Sequence, residues 1–420
     1  MQRFHQWDEH LNIRCLVITF IGILLTFSAC GPQPEPVAIA GPNQPTASPT
    51  PAAPRPSPSP TPSANPTATS APQPTPIPTY TLTATVWEQD PLVPALLYHQ
   101  FADDSSPNSD ANKIRLSDFR AHLETIHALG FVFVSLSDWL KGDLRVPPGK
   151  SPIILTMDDL FFNNQITLGE DGNPTLNSGI GVWWDVYLQK PDLGFKGALF
   201  ANLGDKLYAR PDRPDWEDKL ARAIVWCLEH DLIPYNHTYT HARLDLTENE
   251  NLTFEFHWND RYLRELLAKA GRTDLIPRLD NIIALPYGYW PPKLSAQKII
   301  RAYYTPEGQP MLGAMIADYA FRAEYIPAPY TATFDRFNLP RIVGTQAAMD
   351  TLTAHRERFP RAAACTLSLP NRAAASDPAA LTRAISDAIA QGACPHGVYA
   401  VEGLLFDAHG ETVLQITLTP

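Results

Sequence analysis

Two short stretches of this sequence combine residue types and spacing that could do chemistry: Asp158-Asp159 and His237-Thr-Tyr-Thr-His241. Each follows an apolar run, Ile153-Ile154-Leu155-Thr156-Met157 in the first case and Leu232 to Tyr235 in the second. Two adjacent carboxylates at the end of a strand repel one another unless a cation or base chemistry makes use of them. Two imidazoles four residues apart share one face if the segment is helical. With one carboxylate they form a facial set suited to a divalent metal that keeps positions open for water and substrate. Taken singly, each has a plainer reading: Asp158 as the cap of a turn, His241 as a structural histidine.

The elements that must position these residues read as α/β. Strands are predicted at Leu92 to Tyr98, Phe131 to Leu136, Pro152 to Met157, Gly197 to Asn202, Leu232 to Tyr235 and Ile282 to Leu285. Helical patterns alternate with them at Leu116 to Leu129, where Ser117 is a candidate cap, at Lys219 to His230 and at Trp258 to Ala270. That order suits parallel strands closed into a barrel whose chemistry sits on the loops after the strands. Residues 163 to 185 read as a long loop that covers or gates the site. Beyond residue 346 the pattern weakens, and Val398 to Phe406 with Thr412 to Thr419 reads as a hairpin around Asp407-Ala408-His409-Gly410.

Composition narrows the function classes. The 33 Lys and Arg stand against 44 Asp and Glu, for a net charge of −11. No nucleic-acid partner is expected, because phosphate binding needs clustered cations. The apolar, uncharged run from Cys15 to Ala29 is shorter than the about 20 residues of a spanning helix and suits a signal-peptide core. Residues 31 to 80, crowded with Pro, Thr, Ser and Ala, are expected to be an extended, disordered spacer. Cys365 and Cys394 could pair as a disulfide in an oxidising compartment, and none of the five cysteines has zinc-finger spacing. The oligomeric state is not readable.

Two resemblances add to this reading. Phe27-Ser28-Ala29-Cys30 resembles a bacterial lipobox, which implies cleavage before Cys30, a lipid on its thiol and an extracytoplasmic chain tethered to the cell membrane; an uncleaved signal anchor is the alternative. The chain after it resembles the polysaccharide deacetylases with a NodB-homology domain. Pro94-Ala-Leu-Leu-Tyr98-His99 is similar to the Tyr-His opening of one branch, and Gly130-Phe131 with Ser135-Leu136 to its first helix and second strand. Thr156-Met157-Asp158-Asp159-Leu160 is similar to the family's first motif, His237 to His241 to its second and Leu285-Pro286-Tyr287-Gly288 to its third. The implied organisation is a signal peptide over 1-29, a disordered Pro-rich linker over 30-85, a deacetylase-like domain over 92-345 in a deformed (β/α) barrel, and a C-terminal extension over 346-420.

The resemblance also implies roles. Asp159, His237 and His241 would hold a divalent metal, with Zn2+ the expected ion. Asp158 would be the base acting on a metal-activated water, and the backbone N–H of Tyr287 would hold the oxyanion. The substrate would be an acetylated polysaccharide of the cell wall or extracellular space, N- or O-linked. Several positions depart from the family pattern. Leu160 replaces a glycine, so the backbone would take another path or the pocket would narrow. Ala284 stands where many members have an arginine that orients the base. Asp335-Arg336 and Leu339-Pro340-Arg341 resemble a late segment in which an acidic residue or an arginine tunes the site. No Leu-His motif supplies a general acid; His396 and His409 are candidates by position. Trp183-Trp184 and Trp290 could stack on sugars or fill the core. These departures leave two further readings, a catalytically inactive glycan-binding lipoprotein on the same scaffold and a scaffold without a ligand.

Overall fold

The structure is a computed structural model that describes residues 79–414 except 108, 109, 111, 161–163, 205–213, 319–323, 408 and 409. The leader, Cys30, most of the proline-rich stretch and His409 lie outside the described residues.

The strands of the two larger sheets are β1 Tyr80–Trp87, β2 Ala95–Tyr98, β3 Phe131–Phe133, β4 Ser151–Met157, β5 Gly197–Ala201, β6 Leu232–Asn236, β7 Ile282–Ala284, β8 Gly313–Asp318, β9 Leu339–Val343, β10 Ala363–Leu369, β11 Val398–Val401, β12 Leu404–Phe406 and β13 Thr412–Leu414. Helices α1 Leu116–Ala128, α2 Leu136–Leu140, α3 Gly179–Gln189, α4 Trp216–Glu229, α5 Asn249–Lys269, α6 Leu294–Arg301, α7 Gln346–Ala354 and α8 Pro378–Ala390 alternate with them.

Seven strands close a ring in the order β2-β4-β5-β6-β7-β8-β9, every pair parallel, and β9 returns to β2. The deformed (β/α) barrel expected from the sequence is therefore present. Parallel strands wrapped by helices are buried on both faces, which is why β4 reads Ser-Pro-Ile-Ile-Leu-Thr-Met with all seven residues buried. Its two buried hydroxyls are both bonded, Thr156 donating to the Leu96 carbonyl at 2.8 Å and Ser151 to the Pro360 carbonyl at 2.8 Å. β3 lies parallel against the first half of β4 and stops at Phe133, so the expected strand through Leu136 gives way to helix α2, capped by Ser135.

Other expectations shift as well. Ser117 is a helical residue; α1 begins at Leu116 behind Arg115, which makes no side-chain cap bond. α5 starts nine residues before Trp258, at Asn249. β8 and β9, two members of the ring, were not read as strands.

Beyond the barrel, β10-β1-β11-β12-β13 form an antiparallel sheet. Helix α8 covers it, and Leu381 and Ile385 pack with Val86, Leu367, Tyr399 and Phe406 in a separate hydrophobic cluster. β1 begins inside the stretch read as spacer, because alternate residues Leu82, Ala84 and Val86 face this cluster while Thr81 and Thr83 face solvent. The expected C-terminal hairpin around Asp407 is present between β12 and β13, and its first arm is split, β11 turning into β12 through Glu402-Gly403, both at positive φ; residues 415–419 lie outside the described residues. Cys365 and Cys394 are disulfide-bonded with Cα atoms 5.4 Å apart.

Candidate metal centre

Asp158 and Asp159 leave the C-terminal end of β4, and His237 leaves that of β6, so ring closure brings the two motifs to the same mouth. One ligand atom from each of Asp159, His237 and His241 lies within 4.8 Å of the others. The Nε2 atoms of His237 and His241 stand 3.8 and 3.5 Å from Asp159 Oδ1. These three side chains, with Asp158, Tyr287, His99, Gln100, Asn112 and Arg341, line a cavity of about 400 Å3.

The second motif is not helical. Thr238 and His241 adopt left-handed backbone, with φ of 63° and 55°, and this double turn rather than a helix face converges the imidazoles, whose ring centres are 5.0 Å apart. Asp159 and Tyr287 are left-handed too, at φ 54° and 61°. Four of the seven described non-glycine residues with positive φ thus sit at one mouth, a concentration typical of functional sites that store about 1–3 kcal/mol per residue. Asp159 takes the left-handed position next to where the family has glycine. Leu160 follows with its N–H on the Phe200 carbonyl and its side chain fully buried in the barrel core, so it does not narrow the cavity. Gly288, at φ 76°, has no such freedom: an added Cβ would lie 2.8 Å from Ala317 Cβ and 2.9 Å from its nitrogen.

The donors are oriented from behind. His237 donates from Nδ1 to the Ala284 carbonyl at 2.9 Å, which leaves Nε2 as the ligand atom. Burial pushes the His237 pKa below the ordinary histidine value, against the pull of Asp158 and Asp159, and so favours the neutral, ligating form. Asn202 donates to Asp159 Oδ1 at 3.2 Å. One carboxylate and two oriented imidazoles at this spacing fit a divalent ion of the zinc type.

Asp158 is buried against Arg341, which donates from Nη1 at 2.5 Å and from Nη2 at 2.9 Å to its two carboxylate oxygens. Burial alone would raise the carboxyl's pKa; the guanidinium and His237 outweigh it and hold the group at about 2. The side chain that orients Asp158 is therefore Arg341, on β9, and not one at position 284. Asp335 instead accepts the N–H of Phe337 at 2.9 Å and does not line the cavity.

His99 is the residue whose importance the sequence understated. It follows β2 across the mouth, and its Nδ1 is buried without a hydrogen-bond partner among the described residues. Its pKa lies below the ordinary value because of burial, with Asp158 and Asp159 pulling upward. The loop after β4 is pinned nearby: Gln165 donates to the carbonyls of His99 and Asp158.

The remaining candidates lie elsewhere. His396 is exposed just before β11 and outside the cavity lining. Trp183 is fully buried against Phe133 and Phe195, Trp184 packs on Trp226, and Trp290 donates to the Phe337 carbonyl. Trp183 fills the core, Trp184 and Trp290 are half-buried at its edge, and none of the three lines the cavity of the metal centre.

No protein-family model matches the chain, and no curated protein matches it. Solved structures do. The deacetylase PplD of Streptococcus pyogenes, in complex with acetate, aligns at 16% identity over 60% of this chain and 92% of its own, with a TM-score of 0.40. A polysaccharide deacetylase from Bacillus cereus aligns at 15% over 64% and 69%, with a TM-score of 0.42. IcaB from Ammonifex degensii aligns at 17% over 64% and 98%, with a TM-score of 0.37.

Proposed function

We propose that the chain is a metal-dependent hydrolase that removes acetyl groups, N- or O-linked, from a cell-wall or extracellular polysaccharide. The observation that carries this reading is a buried carboxylate, Asp158, locked by Arg341 beside the Asp159, His237 and His241 cluster.

A divalent ion held by those three side chains, Zn2+ by the nature of the donors, would supply Lewis acidity toward a water and the acetyl carbonyl. Asp158, fixed in one orientation by two hydrogen bonds, receives the proton of the attacking water. Its low basicity is set by Arg341, so the site depends on a water already made acidic. The backbone N–H of Tyr287, in the cavity wall, stabilises the negative charge that develops on the acetyl oxygen. His99, whose Nδ1 has no hydrogen-bond partner among the described residues and which lines the same cavity, donates a proton to the departing amine or alkoxide. In this reading His99 takes the general-acid role for which His396 and His409 are candidates by position.

The weak basicity of Asp158 favours one second reading, a catalytically inactive glycan-binding lipoprotein on the same scaffold. The Cys365–Cys394 disulfide supports export to an oxidising compartment, and with the lipobox-like Phe27 to Cys30 it fits attachment to the membrane through lipid on Cys30. Acetate release from acetylated chito-oligomers, peptidoglycan fragments and an acetyl ester, with and without added Zn2+, decides between the two. Metal-dependent release that Asp158→Asn abolishes supports the hydrolase; saturable glycan binding with no release from any of the three supports the second reading.

A further inference from the structure

The loop that carries both histidines is held by side chains where a helix or strand would use its own backbone. The N–H of Thr238 donates to Asn236 Oδ1 at 2.8 Å, that of Thr240 to Glu255 Oε2 at 2.8 Å, and that of Ala242 to Thr238 Oγ1 at 2.9 Å. Glu255 also accepts the Thr240 hydroxyl through Oε1 at 2.7 Å, so both of its carboxylate oxygens serve one loop residue. Asn236 is fixed in turn: its Nδ2 donates to Asp260 Oδ1 at 3.0 Å and to the Phe256 carbonyl at 2.9 Å. The other oxygen of Asp260 accepts Tyr303 Oη at 2.8 Å, and Arg264 stands 3.9 Å away with Glu307 bound to its outer edge.

Glu255, Asp260 and Arg264 come from α5 and Asn236 from the end of β6, and the four are between 4% and 9% exposed. Burying carboxylates in a helix-to-barrel contact is costly when apolar side chains would pack there. What the carboxylates supply is directional: Glu255 accepts the Thr240 N–H, and Asp260 holds the amide of Asn236, whose oxygen accepts the N–H of left-handed Thr238.

We propose that Glu255, acting on Thr240, and Asp260, acting through Asn236, are positioning residues that hold His237 and His241 at the separation a metal ion requires. The inference rests on the metal-centre reading above, and its test reads the metal rather than the reaction. The experiment measures Zn2+ affinity by chelator competition and the visible absorption of the Co2+-loaded protein, for the full chain and for Glu255→Ala, Glu255→Gln, Asp260→Ala, Asp260→Asn and Thr240→Val. The alanine variants should weaken the metal by about 10–100-fold and alter the Co2+ spectrum, the usual scale for groups that orient ligands. Gln and Asn, which keep an acceptor, should restore most of both. Thr240→Val, which removes only the hydroxyl bond, gives the smaller loss of the same sign.

Alanine variants that fold and keep the parent affinity and spectrum overturn the proposal. If they do not fold, an unchanged affinity together with an unchanged spectrum in Thr240→Val overturns it equally. A parent that binds metal but releases no acetate defeats the hydrolase reading and leaves this inference to stand on its own readout; a parent that binds no divalent ion defeats both.

Discussion

Arg341 and Asp158, 183 residues apart, are joined by two parallel guanidinium–carboxylate hydrogen bonds inside the barrel, with Arg341 wholly buried. Removing one member of a buried pair leaves an uncompensated charge and typically costs about 3–5 kcal/mol. Arg341→Met should therefore lower unfolding stability of the metal-free protein by that order at neutral pH, measured in urea.

The same pair sets a pH dependence. Asp158 has its carboxyl lowered from 3.8 to about 2, so its stabilising contribution is fully present above pH 3.8 and is lost as pH falls through 2. The stability difference between parent and Arg341→Met should shrink across that window. A difference that stays constant from pH 5 down to pH 2 would show that the pair does not control the Asp158 proton.

His99→Ala should separate substrates by leaving group. Protonating a poor leaving group by a placed side chain contributes about 10²–10⁴-fold. Turnover of an N-acetylated oligosaccharide should fall on that scale, whereas an acetyl ester with an acidic phenol as leaving group, which departs without a proton, should be nearly unaffected. Equal losses on both would argue that His99 shapes the cavity and does not donate.

Metal should stabilise the fold as well as serve the chemistry. An ion that binds only the native state adds about 2.7 kcal/mol at a concentration 100 times its Kd. Chelation should lower the melting temperature and abolish acetate release together, and His241→Ala should show neither the metal-induced rise nor the activity. A parent whose melting temperature ignores Zn2+ contradicts the centre.

The disulfide lies in a different hydrophobic cluster from the metal centre. Cys365 and Cys394 lie 29 positions apart in the chain, in a sheet-and-helix region with a hydrophobic cluster of its own. The chain-entropy account gives about 3–4 kcal/mol for a loop of that size. Replacing both with Ser should destabilise that region on this scale and leave metal affinity at the parent value, a result calorimetry and chelator competition can read side by side.

What was legible in the sequence was whatever depends on neighbours along the chain. Apolar runs ending in Asp158-Asp159, in His237 and in Pro286-Tyr287-Gly288 identify strand ends, because a strand buried on both faces has to be continuously apolar and its first polar residues mark the mouth. Asp159 and the two histidines were therefore readable as a set, and so was the α/β alternation. β9 was not read as a strand: Leu339-Pro340-Arg341-Ile342-Val343 carries a proline and an arginine, which argue against a central strand by propensity alone.

Only the tertiary structure decided what those residues can do. The sequence determined the identity of the donors and the ends of the strands that bear them, since both follow from local composition. Ring closure decided that Arg341 rather than a residue at Ala284 orients Asp158, that His99 faces the same cavity, and that Glu255 and Asp260 brace the histidine loop. Hydrogen bonds between side chains act over about 3 Å whatever the chain separation, so partners 15, 24 and 183 residues apart leave no periodic trace for a reader of sequence to follow.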